Sequence, residues 1–440
     1  GGFAVRALLK AFTGRIDEGD VFLLNDPYVA GGNHLPDWVI ARPVHAGGRI
    51  VAFACNRAHQ SDIGGGAAGT YNPAATEIFQ EGIRLPPLKL IEAGEVRDDL
   101  WQLLMINCRT PELLDGDLRA MIGSTRIGAE RIAALMEELG HEAGEACFRG
   151  VLDHAERRFR EAIAGVPDGR YETVEITDND CFEETEIAIH VAMTVAGEEM
   201  TVDFTGTDPQ MRGFKNSSLA NTYSAVYMGL ASFFEPDLPR NEGTFRSVEI
   251  IAPEGSVVNP RPPAPVTMCT VFVAHEIIHA IWKALSEACP ERGCAGWGKS
   301  VHGVTAGDGG EGAPFVMYHW NSIGGAGAVE GRDGFNQIGH LVALGGLTLP
   351  NVETYEQIYP VHFLRQEFRC DGGGAGAFRG GTGIDYEVEI EVPADYSFRG
   401  EGVGVPSGYG IAGGDWGKGG TMTLYPQGGE PYAAPKYGVR

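Results

Sequence analysis

The sequence predicts an α+β protein in which multi-layer mixed sheets pack with helices and glycine-rich loops carry the functional site. Segments of helical periodicity and segments of alternating apolar and polar residues occur in blocks, whereas a doubly wound fold would alternate them strictly. Glycine supplies 64 of the 440 residues without a collagen-like or linker repeat, so it is concentrated in loops. A chain of this length exceeds the roughly 250–300 residues that one hydrophobic core usually serves.

We expect an N-terminal α+β region over residues 1–165, which contains the site loops. Apolar residues from Phe3 to Phe12 have helical spacing, and the apolar run from Val21 to Leu24 predicts a strand that ends at a turn. Two further strands, at 37–44 and 49–55, flank a short Gly-Gly turn and form a predicted hairpin. Helical periodicity then extends over 98–163. The segment Gly165-Val-Pro-Asp-Gly is the predicted boundary.

The remainder divides into a central strand–helix region over 166–292 and a glycine-rich, β-dominated region over 293–440. Alternating apolar and polar residues predict three central strands at 171–176, 184–195 and 200–204. Helical periodicity then predicts two helices at 217–234 and 271–288. The last region contains short apolar stretches between glycine-rich loops, and it includes a period-2 strand at 386–392.

Charge and composition exclude several classes of function. Lys and Arg total 34 against 59 Asp and Glu, which gives a formal charge of −25 and argues against nucleic acid or an anionic membrane as the partner. No stretch has the roughly 18 apolar residues that a membrane span needs. The eight cysteines lie singly, without a CxxC pair, so we expect reduced thiols in a cytoplasmic protein.

Two short strings match known motifs but lack the expected context. Residues 293–300 fit the P-loop pattern, yet a helix precedes them and a glycine-rich stretch follows, whereas a P-loop joins a strand to a helix. His275, Glu276 and His279 fit the HExxH pattern of zinc proteases on a plausible helix. That helix is apolar on several sides, so we interpret it as a core helix with hydrogen-bonded histidines.

A stronger candidate site lies in the two glycine-rich loops of the first region. His34 and Asp37 are three residues apart after one strand, and His59 and Asp62 follow the next hairpin. Two imidazoles and a carboxylate with open positions suit Zn, Mn or Fe acting as a Lewis acid or water activator. The alternative is that these residues are ordinary loop caps and turn formers.

Strings along nearly the whole chain resemble the signature of the hydantoinase B / 5-oxoprolinase family, which includes subunits of acetone and acetophenone carboxylases. They occur in order as GDVFLLNDPY (19–28), GNHLPD (32–37), NRAHQSDIGG (56–65), TEIFQEG (76–82), PPLK (86–89), GDLR (116–119), VDFTGT (202–207), PEGSVVN (253–259) and DGGGAGAFRGG (371–381). Neither the P-loop match nor the HExxH match falls on a family string. Position 33 is Asn where many relatives have Thr, and the family has a longer N-terminal segment and usually a glycine-rich tail.

The resemblance implies a hetero-oligomer with a hydantoinase A-like subunit that binds ATP with Mg and phosphorylates a small-molecule substrate. It also implies that His34, Asp37 and His59 hold a divalent metal, as in the carboxylase members. Hydrolysis of a cyclic amide would suit such a metal, with Asp26, Asp62 and Glu81 as candidate proton-transfer groups. The alternatives are a subunit of an ATP-dependent ketone carboxylase, which the strings at 59–62 and 70–73 resemble somewhat more, and a non-catalytic scaffold for the ATP-binding subunit.

Overall fold

The structure is a computed structural model that describes residues 2–309, 313–338, 340–343, 346 and 348–440. The α-helices within these residues are α1 (Gly2–Ala11), α2 (Asp98–Ile106), α3 (Pro111–Leu139), α4 (His141–Ile163), α5 (Leu219–Phe233), α6 (Phe272–Ala288) and α7 (Val352–Ile358). Mixed helices and several open sheets confirm the predicted α+β class. The predicted helical stretch 98–163 is three helices, because Pro111 begins α3 and Gly140, with a φ of 77°, separates α3 from α4.

Two sheets are built from the first nine strands. These are β1 (Val21–Leu24), β2 (Asp37–Ala46), β3 (Arg49–His59), β4 (Leu88–Glu92), β5 (Glu95–Val96), β6 (Gly169–Thr177), β7 (Ile187–Ala196), β8 (Glu199–Asp203) and β9 (Val248–Ile251). The first sheet has the order β3-β2-β1-β4-β5 and is antiparallel throughout. The second has the order β6-β7-β8-β9, and only its β8–β9 pair is parallel.

The remaining strands form one four-stranded sheet and two ribbons. They are β10 (Val301–Asp308), β11 (Pro314–Tyr318), β12 (Val361–Phe368), β13 (Ile384–Ile390), β14 (Ala394–Gly400), β15 (Thr423–Leu424), β16 (Tyr432–Ala433) and β17 (Tyr437–Val439). The third sheet has the order β11-β10-β14-β17, while β12 pairs with β13 and β15 with β16. The predicted strand at 386–392 corresponds to β13.

The β2–β3 hairpin positions the site. Gly47 and Gly48 form its two-residue turn with φ values of 59° and 74°, a left-handed combination that glycine adopts without steric cost. The pairing runs from the turn to the strand ends, where Asp37 lies opposite His59. Buried residues of β2, including Trp38 and Ile40, pack with residues of α2 and α3 in one hydrophobic cluster.

The largest hydrophobic cluster lies between the second sheet and the helices α5 and α6. Ile189 and Val191 of β7, Val226 of α5 and Ile277 of α6 are among its buried members. The predicted strand at 184–195 begins three residues late, at Ile187. The reason is local, because the Asp180 carboxylate accepts hydrogen bonds from the backbone N–H groups of residues 182 and 183 and holds this segment in a turn.

Candidate metal centre

Hairpin register and a short turn bring together one carboxylate and two imidazoles. Asp37 is the first residue of β2 and His59 the last of β3, and the two are cross-strand partners. His34 lies in the turn three residues earlier, where its carbonyl accepts a hydrogen bond from the Asp37 N–H (3.2 Å). Gly32 begins this turn with so close an approach to Asn25 that a Cβ would lie 1.9 Å from the Asn25 carbonyl oxygen. Only glycine fits there.

The three ligand-type atoms are spaced as they would be around one ion. His34 Nε2 lies 3.0 Å from Asp37 Oδ1, His59 Nδ1 lies 3.5 Å from the same oxygen, and the two imidazole nitrogens are 3.3 Å apart. Ligands about 2.1 Å from a metal are separated by roughly 3.0 Å in octahedral and 3.4 Å in tetrahedral geometry. Within the described parts of the chain, no other group of three or more His, Cys, Asp or Glu side chains has this spacing.

Hydrogen bonding orients His34 toward Asp37, and electrostatics keep Asp37 ionised. His34 Nδ1 lies 2.6 Å from the Thr267 carbonyl, which can only accept, so Nδ1 donates and Nε2 faces Asp37. Burial opposes protonation of His34, but the Asp37 carboxylate outweighs it and raises the His34 pKa. Burial likewise opposes ionisation of Asp37, yet the two imidazoles lower its pKa far below the usual range. Asp37 is therefore ionised at neutral pH.

Access to the centre is from the side of His59. The His34 side chain is 1% exposed and that of Asp37 13%, whereas His59 is 28% exposed. Desolvation by the surrounding protein lowers the pKa of His59, which keeps its imidazole neutral and available as a ligand. His59 Nε2 lies 3.3 Å from the Tyr318 hydroxyl. If these three side chains bind a metal ion, the partly exposed side leaves coordination positions for a substrate or water.

Glu81, one of the three predicted proton-transfer groups, lies directly behind His34. Its carboxylate is fully buried and accepts hydrogen bonds from the N–H groups of Val266 (3.0 Å) and Thr267 (2.7 Å). Burial raises the pKa of Glu81 to about 7. Because Thr267 also accepts the His34 hydrogen bond, Glu81 and His34 are linked through one backbone residue.

The other two predicted proton-transfer groups hold loops around the centre. Asp26 accepts hydrogen bonds from the N–H groups of Tyr28 and Val29 and forms an ion pair with Arg84 (2.6 Å). Asp62 accepts from the N–H groups of residues 64, 69 and 109, and it pairs with the Arg109 guanidinium (3.0 Å). Both are buried, and neither makes a described hydrogen bond or ion pair with His34, Asp37 or His59, which together form the triad. A proton-transfer role for them stays a prediction.

Neither of the two motif matches forms a site of its expected kind. The P-loop string runs into strand β10, so its backbone has no helix N-terminus to offer a phosphate. Its lysine, Lys299, is buried and paired with Glu276 of the HExxH string. His279 Nε2 accepts a hydrogen bond from the Trp297 N–H (3.0 Å) and is itself fully buried. The interpretation of α6 as a core helix agrees with these contacts.

Several groups around the centre were not predicted from the sequence. The Thr267 carbonyl orients His34, the Tyr71 ring stacks near His59 with centroids 5.9 Å apart, and the Tyr318 hydroxyl donates to the carbonyl of Gly69 (3.0 Å). A backbone carbonyl has no sequence signal at all. The two tyrosines are more than ten residues from any predicted ligand, and Tyr318 lies in a different sheet. Only long-range packing brings them here.

The family model of hydantoinase B/oxoprolinase matches residues 2–437 of this α+β chain. The chain belongs to this family, which confirms the resemblance of the sequence strings. It is 35% identical over 390 residues to caprolactamase subunit beta of Pseudomonas jessenii, covering 88% of this chain and 67% of that subunit. It is 30% identical over 420 residues to 5-oxoprolinase 1 of Arabidopsis thaliana, covering 90% of this chain and 32% of that protein.

Solved structures agree with this assignment. The crystal structure of the ATP-dependent caprolactamase from Pseudomonas jessenii superposes with a TM-score of 0.91 at 31% identity, covering 99% of this chain and 76% of that chain. A nucleotide-free acetone carboxylase structure has a TM-score of 0.78 at 20% identity over 96% of this chain and 57% of its own, and so shares the fold. In the part of the chain that the structure describes, no helix is long and apolar enough to cross a membrane.

Proposed function

We propose that this chain is the metal-binding catalytic subunit of an ATP-dependent hydrolase that opens a cyclic amide. The observation that carries the proposal is the convergence of His34, Asp37 and His59, whose ligand-type atoms all lie within 4.8 Å of one another. The similarity to caprolactamase subunit beta supports a lactam or a related cyclic amide as the substrate. The chain spans about two thirds of that relative's length, so the activity of the whole assembly is part of the proposal.

The three residues would hold Mn, Zn or Fe. Such an ion supplies Lewis-acid polarisation of a carbonyl group and a water molecule with a lowered pKa. Asp37 contributes the negative charge of the centre, and the Thr267 carbonyl fixes the His34 ring so that Nε2 points to the ion. The centre's open side at His59 is where the substrate would bind. Glu81 is the predicted proton-transfer group that is linked to the centre, since it shares Thr267 with His34.

ATP would be bound, with Mg, by a hydantoinase A-like partner in a cytoplasmic hetero-oligomer. Two observations support a partner: the similar protein from Pseudomonas jessenii is named as a subunit, and the similar solved structure is an ATP-dependent enzyme. In addition, the P-loop string of this chain has the wrong structural context for a nucleotide. A partner that supplies the nucleotide site explains how this chain would take part in an ATP-dependent reaction.

The test compares the purified complex with variants His34→Ala and His59→Ala, and with the matched control His45→Ala. His45 lies in the same hairpin, near its turn, and takes no part in the triad. We expect about one metal ion per chain in the wild type and in His45→Ala, and loss of metal in the two triad variants. ATP-dependent opening of caprolactam, hydantoin or 5-oxoproline should fall at least about 100-fold in the same two variants. Elemental analysis measures the metal, and chromatographic quantification of the ring-opened acid measures turnover.

Other outcomes select the alternatives. Turnover of a ketone that requires bicarbonate, without opening of any of the three cyclic amides, would select a ketone carboxylase. Full activity in His34→Ala would mean that the chain is a scaffold for its partner. Metal that is unaffected by either triad substitution would show that these histidines are loop structure.

A further inference from the structure

A buried guanidinium without a carboxylate partner lies beside the proposed metal centre. Arg399 of β14 is 0% exposed, and among the described residues it forms no ion pair. Its Nη2 donates to His302, its Nε lies 3.3 Å from the Met268 sulfur, and its Cζ is stacked 3.9 Å from the centre of the Tyr71 ring. In the part of the chain that the structure describes, its Nη1 has no hydrogen-bond partner. Buried charge of this kind is costly unless an anion or a network of acceptors satisfies it.

His302 of β10 presents a second unpartnered donor in the same cluster. A guanidinium only donates, so His302 Nδ1 must be the acceptor of the Arg399 hydrogen bond. Burial and the neighbouring Arg399 charge lower the pKa of His302 well below its usual value, so the ring is neutral and its proton is on Nε2. That Nε2–H group is buried and has no partner among the described residues. Two neighbouring residues therefore offer N–H groups that no described part of the chain accepts.

The Tyr71 ring lies next to both the Arg399–His302 cluster and the metal centre. Tyr71 is stacked against Arg399 and is also close to both imidazole ligands, with ring centroids 5.9 Å from His59 and 6.4 Å from His34. The same ring is 5.1 Å from His302. Arg399 is near enough to His59 for its charge to contribute to the lowered His59 pKa. The positive charge of Arg399 is therefore separated from the proposed metal centre by one aromatic ring.

We propose that Arg399 and His302 form an oxyanion-binding site that holds the charged group which the ATP-dependent step places on the substrate. The inference rests on the proposed function and names the class of substrate that reaches this subunit: an activated compound that carries a phosphoryl or carboxylate group. A guanidinium offers parallel N–H donors that match both groups, and such charge-assisted hydrogen bonds are stronger than neutral ones. Burial excludes competing water, which strengthens them further.

The experiment measures binding of inorganic phosphate and of bicarbonate to the chelator-treated complex by isothermal titration calorimetry. Arg399→Gln removes the charge, Arg399→Lys keeps the charge but not the planar fork, and Arg42→Gln is the matched control. Arg42 of β2 is also a partly buried arginine without a described ion pair, and its Nε lacks a hydrogen-bond partner. We expect Arg399→Gln to weaken anion binding about 10- to 100-fold, Arg399→Lys to weaken it less, and Arg42→Gln to leave it unchanged.

Comparison of the two anions shows whether the charged group on the substrate is a phosphoryl or a carboxylate group. Binding of phosphate that bicarbonate does not displace indicates a phosphoryl group, and the reverse result indicates a carboxylate. The proposal is overturned if the wild type binds neither anion, or if Arg42→Gln weakens binding as much as Arg399→Gln. Thermal melting followed by circular dichroism reports whether each variant folds. Should Arg399→Gln not fold, His302→Asn, whose side-chain oxygen can accept from Arg399 in place of Nδ1 but which has no donor at the Nε2 position, must weaken binding for the proposal to stand.

Failure of the metal centre would leave a different signature. Because the titrations use metal-free protein, anion binding should persist in His34→Ala even though that variant loses the ion. Anion binding with no metal in the wild type would retain the Arg399 site and reject the metal centre. Metal binding with no anion binding would retain the metal centre and reject the Arg399 site.

Discussion

At the scale of single residues, the centre depends on which atom each hydrogen bond uses. Thr267 is bound from both sides: its N–H donates to Glu81 and its carbonyl accepts from His34. Glu81 therefore helps to fix the orientation of a proposed ligand without touching it. The Glu81 carboxyl group is fully buried, and burial raises its pKa to about 7 from its ordinary value of 4.5.

Glu81 should make stability depend on pH. Between about pH 4.5 and 7 the folded protein binds more protons at Glu81 than the unfolded chain does, so stability falls as the pH rises through this window. The full loss is about 3 kcal/mol. Glu81→Gln lacks this titration, so the stability of the wild type relative to the variant should decrease from pH 5 to pH 8. Urea unfolding at several pH values measures the difference.

The control for this prediction is Glu95→Gln, which changes an exposed carboxylate of β5. Its stability difference from the wild type should be nearly constant over the same pH range. A Glu81→Gln difference that is equally constant would contradict the prediction and place the Glu81 pKa near its ordinary value.

At the scale of elements, α6 shows why a motif string needs its context. Its HExxH residues are all buried, and Glu276 is directed to Lys299, which comes from the P-loop string. The two motif matches thus form one buried ion pair between a helix and the segment that follows it. A substrate could reach neither group without opening the largest hydrophobic cluster, to which this helix belongs.

Removal of one partner from this pair should destabilise the protein strongly. Glu276→Gln leaves the Lys299 charge buried and unpaired, so we expect the free energy of unfolding to fall by about 3–5 kcal/mol. The double variant Glu276→Gln with Lys299→Met removes both charges and should recover much of that loss. Denaturant unfolding monitored by circular dichroism measures both effects.

An exposed ion pair on α3 gives the comparison. Glu130→Gln breaks the pair with Arg126 at the surface of this helix, where solvent screens the charges, and it should change stability little. Glu276→Gln with an equally small effect would show that the buried pair does not contribute. Loss of ring-opening activity in a fully stable, metal-loaded Glu276→Gln variant would instead give α6 a chemical role.

At the scale of the whole molecule, the centre is shared among distant parts of the chain. Its three proposed ligands come from the first sheet, but Thr267 precedes α6 and Tyr318 ends β11 of the third sheet. The Tyr318 hydroxyl lies within hydrogen-bond distance of the carbonyls of both Ser61 (3.1 Å) and Gly69 (3.0 Å), which fastens the His59 loop to that sheet. Residues 1–165 include all three proposed ligands, but they do not include Thr267 and Tyr318, which orient these ligands and their loop.

We therefore expect a fragment of residues 1–165 to bind metal at least about tenfold more weakly than the whole chain, the size of effect that loss of orienting groups usually has. Titration with Mn or Zn, with the whole chain as reference, measures the affinity. The variant Tyr318→Phe in the whole chain is the finer probe, because it removes only the tether and should reduce metal affinity less than the truncation does. A folded fragment with the affinity of the whole chain would contradict the prediction.

The sequence by itself determined the features that rest on neighbouring residues. Periodicity located β1, the β2–β3 hairpin and α6 to within a few residues, and it placed the Gly-Gly turn between the two hairpin strands. His34 followed from its three-residue spacing. These are local interactions, whose geometry the chain fixes within one turn or one hairpin.

Only the tertiary structure decided what surrounds those residues. The Thr267 carbonyl, Tyr318, His302 and Arg399 are more than 200 residues from His34 along the chain, and the loops between them are rich in glycine, which has no periodic signal. Whether Arg399 meets a carboxylate or stays unpaired depends on how three sheets pack together, and packing follows from the shape of the whole core. For this reason the proposed ligands could be predicted from sequence, while the tautomer of His34 and the unpaired guanidinium could not.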